Sequence, residues 1–105
     1  MEVRVTQHDE TISGAGATWG SYYEYYDIYE FDLGGGRIVN GRHNVGVSSV
    51  HSIALDIDAD AFYALAEARE IVSELQRRGF VGIALRHGAQ GYFNQIDPAR
   101  LAPPA

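Results

Sequence analysis

Cysteine and lysine are both absent from these 105 residues, and no apolar run is long. Without cysteine there is no disulfide framework and no thiolate zinc site. The apolar runs stop far short of the about 18 residues that a membrane-crossing helix needs. The opening Met1-Glu2-Val3-Arg4 lacks the charged-then-apolar layout of a signal peptide, so the expectation is a soluble, cytoplasmic protein. Positive charge is scarce: eight arginines stand against fourteen acids, for a formal net charge of −6. Nucleic-acid affinity comes mainly from neutralised phosphates, so direct binding to nucleic acid is not expected. Such a field attracts a basic protein surface instead. Arginine without lysine fits the codon bias of a GC-rich bacterial or phage genome. The length suits one domain, which buries about two-thirds of its unfolded surface, and leaves no room for a separate cofactor domain. That domain is expected over residues 1–101, with 102–105 a frayed tail.

What is present reads as strands around one helix. Val3 and Val5 alternate with polar neighbours from Glu2 to Gln7, the period of a half-buried strand, and Thr11–Ser13 extends it. Gly14 to Gly20 is a loop. Tyr22 to Leu33 is the longest strand, dense in aromatic residues of high β propensity. Gly34-Gly35-Gly36 closes it, and Arg37–Val39 is the return arm of a hairpin. Asn40-Gly41 is a second turn signal, so the stretch to Ser49 is one bent strand or two short ones. Val50 to Ile57 is a further strand.

From Asp60 to Arg78, Ala61, Leu65, Ala68, Val72 and Leu75 recur at helical steps, with Ala64 and Ile71 widening the stripe. Asp58 and Asp60 lie at the positive end of that helix, Arg77 and Arg78 at the negative end. Gly79 is placed to end it in a left-handed conformation, with Phe80 folding back on Leu75. Val81–Leu85 and Tyr92–Ile96 are short strands joined through 87–91. Asp97-Pro98 starts a single helical turn reaching Leu101. The expected fold is α+β and two-layered: a mostly antiparallel sheet with one long helix on one face, in the order β-β-β-β-α-β-β. The crossover from Ile53–Ile57 to Val81–Leu85 allows one parallel pair.

Four stretches carry possible chemistry. Arg86-His87-Gly88, after the apolar run Val81–Leu85, resembles the strand-then-Arg-His-Gly opening of the histidine phosphatase family, which implies His87 as the phosphorylated residue and Arg86 as a phosphate ligand. That family draws a second Arg, a second His and an acid from a much longer downstream chain than the 17 residues after Gly88. The stretch is therefore read as a strand end and hairpin turn. Asp56, Asp58, Asp60 and Glu67 fall at positions 1, 3, 5 and 12 of an EF-hand-like calcium loop. Ala61 stands where that loop needs glycine, and a left-handed non-glycine residue costs about 1–2 kcal/mol. An acidic helix start is the simpler reading, and neither metal nor cofactor is expected. Gly14–Gly20 contains Gly-x-Gly, but a Tyr-rich strand follows in place of a helix, so no phosphate cradle forms.

The fourth stretch, Tyr22 to Asp32, packs six aromatics and four acids into eleven residues without a base. As a strand, one face carries Tyr23, Tyr25, Asp27, Tyr29, Phe31 and Leu33, the natural core side. The other carries Tyr22, Glu24, Tyr26, Ile28, Glu30 and Asp32. Tyrosine supplies rigid amphipathic contact area, and acids steer arginine and lysine. Tyr22, Glu24, Tyr26, Glu30 and Asp32, with Trp19 as a rim anchor, are the candidate partner-binding residues. Such tyrosines also pair across an ordinary solvated sheet. If Gly34–Gly36 form a three-residue loop, Leu33 pairs with Arg37 and Asp27 meets His43; His8 and His51 have no evident partners.

The expected function is that of a small acidic, non-enzymatic inhibitor that binds a nucleic-acid-handling protein. Its size and acidity are similar in type to anti-CRISPR, anti-restriction and nuclease-immunity proteins, with no diagnostic motif. The alternatives are a small ligand-binding domain or enzyme working as a dimer with a site near Asp27 and His43, and an accessory subunit of a larger assembly.

Overall fold

The computed structural model describes residues 1–13, 21–45, 51–87 and 92–102; for 10–13, 21–24, 87 and 92 it describes the backbone alone. Six strands form one sheet in chain order: β1 (Glu2–Ser13), β2 (Ser21–Gly34), β3 (Arg37–Asn44), β4 (Ser52–Asp58), β5 (Gly82–His87) and β6 (Tyr92–Gln95). Neighbours run antiparallel except β4 and β5, which are parallel. The helices α1 (Ala59–Tyr63) and α2 (Ala68–Arg77) lie in that crossover. The mixed α+β class and the mostly antiparallel sheet match the sequence pattern.

The single long helix does not form. Leu65 N donates to Phe62 O and Ala68 N to Leu65 O, tight turns that break the chain between α1 and α2. The cause is a change of phase. Ala68, Ile71, Val72 and Leu75 form a continuous buried stripe on α2, but α1 buries Phe62, while Ala61 and Ala64 are exposed. At 100° per residue Phe62 lies well off the α2 stripe. Burying a phenyl ring outweighs burying two alanines, so the helix breaks to let Phe62 in. Asp58 caps α1 by accepting from Asp60 N. Gly79, at φ 94°, ends α2: Phe80 N donates to Leu75 O and Gly79 N to Gln76 O, each at 3.0 Å. This is the expected Schellman ending.

The core lies between the helices and one face of the sheet. Phe31, Leu55, Phe62, Ile71, Leu75, Phe80 and Leu85 are its fully buried side chains. Asn40-Gly41, read from sequence as a turn, lies inside β3, with Gly41 paired to Tyr29 and Leu55. Glycine is needed there for close approach: a Cβ would stand 2.8 Å from both Ile53 Cδ1 and Leu55 Cδ2. The β2–β3 turn also differs in detail. Gly34, not Leu33, pairs with Arg37, and the register shifts between Asp32 and Gly34. Asp32 Oδ1 accepts from Gly34 N at 2.9 Å, and Gly34, Gly35 and Gly36 all take positive φ. Asp97 caps the last turn, Pro98–Arg100, by accepting from Ala99 N. Of the stretch 102–105, read as a frayed tail, Ala102 is tied down, its carbonyl accepting from Arg69 Nε at 2.8 Å, and 103–105 lie outside the described residues.

Candidate functional site

Alternation along the strands gives the sheet two unlike faces. Val39, Ile53, Leu55, Ile83 and Leu85 point toward the helices, with Tyr29 and Phe31. Among the described residues nothing covers the opposite face. It carries Tyr26, Ile28, Glu30 and Asp32 from β2, flanked in register by His8, Thr6, Arg4 and Glu2 of β1 and by Asn44, Arg42, Asn40 and Ile38 of β3. The two-face reading of β2 therefore holds from Tyr25 to Leu33, the side chains of 21–24 lying outside the described residues. Across this face runs an open groove of about 850 Å³, floored by Gly41 and Ala54 and walled by Ile28, Arg42 and Phe93.

The neighbours change what the candidate residues do. Tyr26 is stacked on the His8 ring at 4.3 Å and carries the Arg42 guanidinium 3.7 Å above its ring centre. Glu30 accepts from Arg4 at 3.2 Å. Asp32 is held in the glycine turn. These three residues thus serve the sheet itself. Glu24 and Tyr22 sit farther along β2, opposite Glu10 and Ile12. Trp19 lies outside the described residues, as does the Gly14–Gly20 loop.

The EF-hand-like carboxylates do not converge. Asp56 pairs with Arg86, Asp60 with Arg100 at 3.0 Å, and Glu67 with Arg37 at 2.7 Å, while Asp58 caps α1. No group of three or more metal-ligating side chains occurs among the described residues. Arg86 and His87 lie in β5, and the turn after them falls outside the described residues. The Arg37 guanidinium holds the Glu67 carboxyl below the ordinary range, and Arg77, then Arg78, do the same to Glu74.

Asp27 and His43 are opposite each other, as the hairpin count implies. Their side chains take other roles. His43 donates its Nδ1 proton to Ser52 O at 2.7 Å, which fixes its tautomer, and Asp27 Oδ1 is buried without a hydrogen-bond partner. His51, partnerless in the sequence reading, lies flat on Phe80 at 4.0 Å and edge-on to His43 at 4.4 Å. Burial, and next the nearby Asp27 charge, push the Tyr29 phenol up.

Charge is the feature the local reading missed. Residues 2–34, the β1–β2 hairpin, hold seven acids and one arginine, a formal −6. Residues 35–102 hold seven acids and seven arginines, a formal zero. All of the net charge therefore sits on one hairpin. Asp9 and Glu10 belong to it beside the acids already singled out on β2. A segment-by-segment count would have found them. Within the hairpin, Glu2 faces Asp32 and Glu10 faces Glu24 in register, like charges at directly opposed positions. The β2–β3 ladder reaches Tyr26 and Asn44, with Val45 N donating to Tyr25 O at 3.1 Å beyond it, and the β1–β2 pairs run on to Ser13 and Ser21. Comparison with protein-family models, curated proteins and solved structures gives no match.

Proposed function

We propose that this chain is a non-enzymatic protein-binding inhibitor whose acidic β1–β2 hairpin occupies the basic, nucleic-acid-binding groove of a partner. The observation that carries this reading is the confinement of the whole −6 charge to residues 2–34. A field concentrated on one hairpin steers and orients a basic partner, where the same charge spread evenly would only aid solubility. The opposed acids Glu10 and Glu24 strengthen the reading, because a local conflict kept in a fold is expected at a functional place. Tyr22, Glu24 and Trp19 remain the contact candidates, joined by Asp9 and Glu10. Tyr26, Glu30 and Asp32 act chiefly by holding the hairpin.

The test is affinity capture from a bacterial lysate, beside the variant Asp9→Asn/Glu10→Gln/Glu24→Gln. Wild type should retain a nucleic-acid-handling protein, and the variant, with an unchanged circular dichroism spectrum, should not. Equal retention by both would sink the reading. A second reading, a small-ligand site, is favoured by one observation: the orphaned oxygen of Asp27, which stands opposite His43 in register, while the His43 ring meets that of His51 edge-on at 4.4 Å. Shifts of both histidine ring signals on small-molecule screening would support it; silence in both would remove it.

A further inference from the structure

Among the described residues, six strands in chain order leave two edges, and they are unlike. The β6 edge is four residues long, whereas β1 runs twelve, from Glu2 to Ser13. Folds blunt long edges with proline, lysine, bulges or short strands. Here β1 has no proline and no lysine, and its register with β2 runs from Glu2–Asp32 to Ser13–Ser21 without a shift. Its outer row of backbone donors and acceptors is therefore a straight template for another strand.

The side chains of β1 say what kind of strand fits. Val3 packs on the rim of the core, but Val5, on the same face, is 41% exposed because the burial ends short of the edge. Two residues of acid, Asp9 and Glu10, follow farther along. An incoming strand would extend the core beside Val3 and Val5 and meet negative charge beyond them. A second copy of this chain fits poorly, since it would bring one −6 hairpin against another.

We infer that β1 accepts an extended, arginine- or lysine-bearing segment of the partner as an added antiparallel strand, with its apolar side chains beside Val3 and Val5 and its basic ones opposite Asp9 and Glu10. This rests on the reading of the hairpin as the site for a basic partner, and it names the mode of contact. Main-chain hydrogen bonds supply affinity in strand addition, and the alternating side chains supply register and choice.

The probe is a synthetic peptide written to pair antiparallel with residues 11 to 2: Thr-Lys-Arg-Thr-Thr-Thr-Val-Glu-Val-Arg. Its control has the same composition in scrambled order. The peptide should slow amide exchange along β1, the control should bind about tenfold more weakly, and Val5→Lys should weaken the peptide by a similar factor. Val5→Lys should keep its melting temperature, since the position is open. Equal binding of both peptides without protection of β1 would overturn strand addition and leave charge attraction by the hairpin standing. Failure of both peptides, while the whole protein still captures a basic partner in a way that needs Asp9, Glu10 and Glu24, would overturn it too. If sedimentation shows a dimer with β1 protected, and Val5→Lys makes it monomeric, the occupant is a second copy and the inference falls.

Discussion

Glu67 and Glu74, both half-buried beside arginines, contribute to the acid sensitivity of this fold. Arginine hydrogen bonds lower both carboxyl pKa values in the folded state. A depressed folded pKa means that stability is present above the unfolded value, about 4.3 for glutamate, and is lost as pH falls through the folded one. The melting temperature should therefore hold steady above about pH 5 and drop below it, and Glu67→Gln should flatten part of that drop. Gly41 sets a steric limit. Gly41→Ala should cost about 1–3 kcal/mol in chemical denaturation, because the methyl would press on the buried side chains of Ile53 and Leu55. The Asp27–His43 opposition was legible because the bulge at Leu33 leaves the count between strands intact beyond it. The preference of His43 for the Ser52 carbonyl was not, since β4 is brought there only by the tertiary fold.

At the scale of elements, alternation made the strands readable, and the core face of β2 followed from it. Helical period misled at α1. The stripe through Ala61 and Ala64 has the right spacing but little area, and Phe62 decides which side turns inward. Phe62→Ala should destabilise the protein by about 3–5 kcal/mol, whereas Ala61→Ser should stay within about 0.5 kcal/mol; thermal melts of the two variants measure the contrast. The hairpin offers a prediction of opposite sign. Glu24→Lys places unlike charges at the Glu10 register position, and should raise stability by about 0.2–1 kcal/mol while removing partner capture. Cross-strand neighbours explain why the β2 acids looked barer in sequence than they are: Arg4 and Arg42 reach Glu30 and Tyr26 only after pairing.

The whole molecule is drawn out, 55 Å along one axis against 30 and 27 Å along the others, with its net charge held on one hairpin. Among the described residues no helix is long and apolar enough to cross a membrane. The total charge was plain in the sequence, but its meaning depends on which strands pair, and a strand's partner across a long loop is not a local property. The most direct test is competition for the captured partner between this protein and duplex DNA, followed by fluorescence anisotropy of a labelled duplex. A hairpin seated in the nucleic-acid groove predicts that wild type displaces the duplex at stoichiometric concentration, and that Asp9→Asn/Glu10→Gln/Glu24→Gln does not. Formation of a ternary complex, with the duplex still bound at saturating wild-type protein, would contradict it.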